Sequence, residues 1–416
     1  MTGGGGLLQL VAQGKQDVFI TGNPQITWFK MVYRRYTNFS IESQSMYFDG
    51  DPDFGKRLSC LVPRRGDLLG PVILEVTLPQ LYHTDGTLAS YCNSIGHALI
   101  EEISVEIGEQ EIDKQTGEWM EIWSSLTTTM NQKNGFYDMV GKVAAYTTPD
   151  FGAVKLYIPL RFWFNRNPGV YLPLIALQYH PIRINVKLRP LQQLFYSNEL
   201  VANCTTTQVN VAKITDMRLW GDYVFLDVEE RRRFVSSTHE YLIEQIQYTP
   251  KLSIPSGNTT AIVPLEFNHP CKEFIWVLQR DIMAQYHEWF NFSSLATHET
   301  GVRLDLLSTA SIQLDGQERF DARDAGYFRL VQPFQYHTNI PNDEFIYLYS
   351  FSLRPEDQQP SGSLNASRID NITMSVGITP DANLSPVRGN GTIRVYAVNH
   401  NVLRIVNGFG GVLFTV

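Results

Sequence analysis

The segment IRINVKLR, residues 182–189, sets Ile182, Ile184, Val186 and Leu188 against Arg183, Asn185, Lys187 and Arg189 in strict alternation. Successive side chains of a strand point to opposite faces, so a period of two predicts a strand with one buried and one wet face. The pattern recurs at Val72/Leu74/Val76/Leu78, Ile103/Val105/Ile107, Phe345/Tyr347/Tyr349/Phe351/Leu353 and Ile372/Met374/Val376/Ile378. Helical spacing is confined to Trp119, Ile122, Trp123 and Leu126, and to Val228–Val235, opened by Asp227 with Glu230 three residues on. Leu314-Asp315-Gly316-Gln317 reads as a two-residue hairpin, because a type I′ turn needs positive φ at both central residues. The expected fold is all-β and antiparallel, with short helices in its loops.

Comparing the halves of the chain extends this reading. TNFSIESQ (37–44) resembles HEYLIEQI (239–246), placing Ile41 against Ile243 at an offset of 202. Leu61-Val62-Pro63 then matches Ile262-Val263-Pro264, and Leu74/Val76 matches Ile275/Val277, both at 201. IGEQEID (107–113) resembles LDGQERFD (314–321), and each is followed by an aromatic helical stretch, around Trp119 and Phe328. Ordered matches at a near-constant offset predict an internal duplication. Half of the chain has room for eight strands plus insertions, so the expected architecture is two tandem eight-stranded antiparallel jelly-roll sandwiches. The divisions are an N-terminal arm at 1–28, a first jelly roll at 29–215 and a second at 216–416, joined near 213–225.

Composition narrows the function. Hydrophobic residues at 43% and aromatics at 12% describe a folded chain rather than a disordered one. With 34 Lys+Arg against 42 Asp+Glu, the net charge of -8 provides no field for neutralising a phosphate backbone, so no direct sequence-specific nucleic-acid binding is expected. Cys60, Cys92, Cys204 and Cys271 are too few and too widely spaced for a disulfide scaffold or a zinc site. The opening MTGGGGLLQLVAQGKQ lacks the basic and long apolar regions of a secretion signal, and its glycines read as a flexible tip.

Candidate chemical motifs fail individually. Asp49, Asp51 and Asp53 mimic a calcium loop, but Phe54 and Cys60 stand where glycine and a bidentate glutamate are needed. His239-Glu240 begins like a zincin motif, but Ile243 replaces the second histidine. Arg231-Arg232-Arg233 follows Glu229 and Glu230, a mixed charge that reads as ion pairing or, preferentially, a subunit contact. No catalytic, cofactor or metal residues are assigned. Glycosylation sequons begin at Asn38, Asn203, Asn258, Asn291, Asn365, Asn371, Asn383 and Asn390, and without a secretion signal most are expected to stay unused.

Longer motifs carry a resemblance. GGLLQLVAQGKQDVFITGNPQITWFKMVYRRYTNFSIES (5–43), YIPLRFWFNRNPGVYLPLIALQYHPIRI (157–184), FLDVEERRRFVSSTHEYLIEQIQ (225–247), FNHPCKEFIW (267–276), QPSGSLNASRIDN (359–371) and NHNVLRIVNGFGG (399–411) resemble, in order, motifs of the double jelly-roll major capsid proteins of nucleocytoplasmic large DNA viruses. Ala366, where an aromatic is usual, is a local departure. The resemblance implies a structural virion protein, not an enzyme, that needs no cofactor. It implies homotrimeric, pseudo-hexagonal capsomers tiling an icosahedral shell around an internal membrane, with minor capsid and penton proteins as further partners and assembly in the host cytoplasm. The alternative is an enzyme or sugar-binding protein on paired sandwiches, using Trp163, Trp276 or Trp289 as stacking platforms. The arm lies outside the duplicated part, and its apolar Leu7, Leu8, Leu10 and Val11 are expected to dock during assembly.

Overall fold

In the computed structural model, which describes residues 4–82, 88–144, 147, 150, 152–196, 212–379 and 390–415, the period-two segments become strands of four principal sheets. The first half supplies β1 (Phe39–Met46), β2 (Arg57–Leu61), β3 (Leu68–Leu78), β4 (Ile100–Ile107), β5 (Gln110–Thr116), β6 (Val154–Pro159), β7 (Ile182–Leu188) and β8 (Asp216–Leu226). They pair antiparallel in the orders β1-β8-β3-β6 and β2-β7-β4-β5. The second half supplies β9 (His239–Tyr248), β10 (Thr260–Pro264), β11 (Pro270–Arg280), β12 (Leu307–Leu314), β13 (Gln317–Glu318), β14 (Tyr347–Ser350), β15 (Ile372–Ile378) and β16 (Gly391–Val406). Their orders are β9-β16-β11-β14 and β10-β15-β12-β13. Every strand in the first pair of sheets thus has its counterpart eight strands later, in the same place. Each half is a two-sheet jelly roll on an eight-strand plan, to which the second half adds the short strands Leu252–Ile254, Leu364–Asn365 and Phe409–Val412 on one sheet and Arg323–Asp324 on the other.

Alternation explains how each sandwich closes. Ile182, Ile184, Val186 and Leu188 are buried on β7, and Ile372, Met374, Val376 and Ile378 do the same on β15. The Leu314–Gln317 hairpin forms, with Asp315 at φ 48 and Gly316 at φ 77. The helix Val228–Ser236 starts at Asp227, whose carboxylate accepts from the Val228 amide at 2.7 Å. Trp119 and its neighbours lie on the helix Gly117–Thr127.

Three expectations are corrected. Placing the boundary at 215/216 would give β8 to the second half, yet β8 is hydrogen-bonded between β1 and β3, with Ile41 opposite Val224 and Leu219 opposite Leu74. The last strand of a jelly roll pairs with its first, so the first half runs through Leu226. The expected first jelly roll opens at Phe29, but residues 22–38 carry no helix or strand and the first strand starts at Phe39. The alternating run Phe345–Leu353 yields only Tyr347–Ser350, because Phe345 at φ 52 lies outside the extended region.

The arm, residues 4–38, is a structural unit of its own. It contains the helices Gly4–Val11, where a flexible glycine tip is expected, and Lys15–Thr21, and its described residues are exposed.

Candidate functional site

Building outward from the two cores leads to the joint between the sandwiches. The second core contains Trp119, Ile122, Trp123 and Leu126, all from the first-half helix Gly117–Thr127. Conversely, Ile243 of β9 and Leu403 and Ile405 of β16 belong to the first core. Trp119 stacks on Trp123 with ring centroids 5.4 Å apart and meets Tyr396 at 5.3 Å. The Tyr396 hydroxyl donates to Glu118 at 2.9 Å. At the edge of the joint, the Gln245 side chain donates to the Ile112 carbonyl, and the Val412 amide donates to Gln110 Oε1 at 3.3 Å. Each sandwich therefore completes the other's interior.

Charged side chains line the joint. Lys272 and Glu244 are buried, with Nζ 2.6 Å from Oε1, while Arg166 of the first half reaches Glu244 Oε2 at 2.6 Å and lies over the Trp123 ring. Lys142 bridges Glu121 at 2.7 Å and Glu344, in the other half, at 2.8 Å. Burial alone would raise the Glu121 carboxyl, but Lys142 and the His97 hydrogen bond hold it well below the usual carboxylate range. His97, whose pKa burial pulls down, donates to Glu121 through Nδ1 at 2.6 Å.

His337 forms a clamp between Glu273 at 2.8 Å and Glu356 at 2.9 Å. Burial would lower its pKa, but the charge of Glu273 and the hydrogen bonds to both carboxylates lift it to about 9. A histidine raised from 6.5 in the unfolded chain stabilises the fold fully below 6.5 and loses that contribution as pH climbs through about 9. The shift corresponds to about 3 kcal/mol. The melting-temperature gap between wild type and His337→Gln should therefore narrow between pH 7 and pH 10. A gap that stays constant over that range means the imidazole is uncharged in the fold.

The residues singled out from sequence lie elsewhere. Leu7, Leu8, Leu10 and Val11 are all exposed on the arm. Asn38, Asn258, Asn365, Asn371 and Asn390 are exposed, whereas Asn291 is buried and bonded to Glu288 and the Leu295 carbonyl. Asn203, Asn383 and Cys204 lie outside the described residues. Trp163 and Trp276 are core residues, and Trp289 donates to the Gln193 carbonyl beneath Arg189, so none of the three offers a free stacking platform. Arg231 pairs with Asp67 at 2.9 Å and Arg232 with Glu229 at 3.1 Å, the ion-pairing alternative for that run. Among the described residues, no group of three or more His, Cys, Asp or Glu is placed to hold a metal. A cavity of about 60 Å³ beside Lys142, Glu344 and His287 has room for a few waters. Sequence reasoning missed the joint because its ionic side chains are far apart in the chain; Glu42 and Glu244, repeated at the offset of 202, were the available signal.

Two family models match in turn along the chain: "Major capsid protein N-terminus" over residues 27–227 and "Large eukaryotic DNA virus major capsid protein" over 230–411. The chain belongs to the major capsid proteins of the large eukaryotic DNA viruses. Their junction falls at the end of β8, where the sheet pairing divides the halves. The major capsid protein of Pyramimonas orientalis virus is 40% identical, covering 99% of this chain and 100% of its own. That of Paramecium bursaria Chlorella virus 1 is 38% identical over 99% of each. Among solved structures, PBCV-1 VP54, fitted into a reconstruction of the virophage Sputnik, superposes with a TM-score of 0.79 at 32% identity, covering 94% of this chain and all of that one. The Faustovirus major capsid protein shares the fold at a TM-score of 0.75 and 14% identity, covering 96% of each.

Proposed function

We propose that three copies of this chain close into a homotrimeric, pseudo-hexagonal capsomer, and that such capsomers tile an icosahedral shell without any catalytic activity. The observation that carries the reading is the matched strand order of the two halves. Three tandem pairs present six near-equivalent sandwiches, whereas three single sandwiches would make a three-cornered unit. Contacts between capsomers can then be individually weak, since each unit makes several at once. Minor capsid and penton proteins, an internal membrane beneath the shell, and assembly in the host cytoplasm complete the proposal. Most sequons remain unmodified in that setting.

The arm belongs to shell assembly in this reading. Besides Leu7, Leu8, Leu10 and Val11, it exposes Phe19, Trp28, Phe29, Met31 and Tyr33, an apolar density that monomers seldom leave in water. It docks onto a neighbouring capsomer, a minor capsid protein or the layer beneath. Sedimentation and electron microscopy of the full chain and of a variant lacking residues 2–24 test both claims together. Both proteins should sediment as trimers of nearly equal melting temperature, and the truncated one should close fewer shells. Monomers across micromolar concentrations of the full chain would overturn the trimer. Normal shells from the truncated chain would remove the arm's role, and loss of trimers on truncation would reassign the arm to the capsomer's interior.

A further inference from the structure

Charge divides the chain as sharply as fold does. Residues 1–38 hold Lys15, Lys30, Arg34 and Arg35 against the single acid Asp17, a net +3, while the rest of the chain carries 30 Lys and Arg against 41 Asp and Glu, a net -11. Asp17 is engaged within the arm, accepting from the Gly14 amide at 2.8 Å. Among the described residues, none of the four arm cations has a carboxylate partner, whereas Lys155, Arg218 and Arg231 beyond the arm each hold one. The arm's positive charge is uncompensated.

Apolar side chains share the same segment. On the helix Gly4–Val11, a turn of about 100° per residue gathers Leu7, Leu8, Leu10 and Val11 within about 160° of one another and puts Gln9 on the far side. The run WFKMVYRR at 28–35 carries no helix or strand, and Trp28 is 86% and Phe29 98% exposed. Its cations are interleaved with aromatic and aliphatic residues instead of forming a separate block. Trp and Tyr rings favour the boundary between water and hydrocarbon, and Lys and Arg beside them reach headgroups while their stems lie in the apolar layer. Whatever covers the arm must offer apolar depth and negative charge together, and a bilayer with acidic headgroups offers both across its whole face. Protein interfaces seldom do, because their apolar centres are depleted of charge. Among the described residues no helix is long and apolar enough to cross a membrane, so the arm would lie in the surface of a bilayer.

We propose that the arm rests on a lipid bilayer with acidic headgroups, Leu7, Leu8, Val11, Trp28 and Phe29 entering the acyl boundary and Lys30, Arg34 and Arg35 meeting the phosphates. The inference rests on the arm's role in assembly proposed above and names its partner. Binding strength then comes from buried apolar area together with attraction to acidic lipid, and the second part weakens with salt. The rest of the chain, at net -11, is repelled by the same surface, so only the arm is drawn in.

Flotation of the full chain with vesicles of phosphatidylcholine alone, or of phosphatidylcholine mixed with phosphatidylserine, tests this. The chain should float with the mixed vesicles, far less with phosphatidylcholine, and should come off as sodium chloride rises and screens the headgroups. Lys30→Ala, Arg34→Ala and Arg35→Ala together should weaken binding to the mixed vesicles roughly a hundredfold. Trp28→Ala with Phe29→Ala should weaken binding to them as well. Circular dichroism of these variants should stay that of the wild type, since residues 22–38 carry no helix or strand. Equal flotation on both kinds of vesicle, or flotation that survives the triple substitution, overturns the proposal. Absence of flotation overturns it too; if the chain lacking residues 2–24 then still closes fewer shells, the arm's partner is a protein and its assembly role stands. Flotation that the triple substitution abolishes, alongside normal shells from the truncated chain, keeps the lipid contact and removes the assembly role.

Discussion

Replacing Lys272 by methionine should lower the melting temperature by roughly 5 °C, the largest effect expected of any single charge removal at the joint. The side chain is 0% exposed and its ammonium holds both Glu244, at 2.6 Å, and the Asp357 carbonyl, at 3.0 Å. It reaches them because the β11 register shifts between Cys271 and Glu273, leaving Lys272 as the extra residue of a β-bulge. Bulges re-aim a side chain, and this one lies in a strand buried on both faces from Cys271 to Arg280. Methionine keeps the stem volume and removes the charge. Glu244 then keeps only Arg166, and stripping one partner from a buried ion pair costs about 3–5 kcal/mol. Adding Glu244→Gln should recover part of the loss, since the orphaned charge goes too. Thermal melts of wild type, single and double variants give the measurement. A Lys272→Met melt within 2 °C of wild type would mean that water reaches the pair and that the joint is looser than described.

The same cluster shows why part of the molecule was legible in sequence and part was not. Period-two runs located the strands, and the repeat located their order, because both depend on near neighbours or on comparing like with like. What lies on a strand's outer face depends on distant residues. Tyr241 and Ile243 have the same local pattern as Phe39 and Ile41, yet one pair is packed and the other is wet. Glu244, Lys272 and Glu273 read as solvent-facing by residue type and are buried, since their partners come from other strands and from the other half. The Trp119, Ile122, Trp123 and Leu126 spacing correctly gave a helix and could not say which core it fills. Phe345 fitted an alternation by composition but turns the chain at positive φ. The arm runs past its expected end for a related reason: Trp28, Phe29 and Tyr33 are strand-favouring residues in a stretch that forms no strand.

Expressed separately, residues 39–227 and 228–416 should fail to give stable sandwiches, although each contains all eight strands of a jelly roll. The second half alone would lack Trp119, Ile122, Trp123 and Leu126, which are buried in its core. Fully burying such side chains contributes about 1.5–3 kcal/mol each. Losing four removes roughly 6–12 kcal/mol, comparable to the whole stability of a typical domain, about 5–15 kcal/mol. The first half alone would expose that same helix and lose the cover of Ile243, Leu403 and Ile405. It would also leave Arg166 and Lys142 without Glu244 and Glu344. In the intact chain the coupling predicts one cooperative unfolding transition rather than two. Trp119→Ala, which removes the ring stacked between Trp123 and Tyr396, should cost about 3–5 kcal/mol and lower that single transition as a whole. Calorimetry of wild type and Trp119→Ala, with circular dichroism of the separate halves, supplies the readout. If residues 228–416 melt cooperatively alone, or the variant splits the transition into an unchanged and a shifted part, the sandwiches are independent domains and the helix is an ornament between them. If the single transition moves intact, the duplicated halves have become one folding unit, joined by a helix that one half lends to the other.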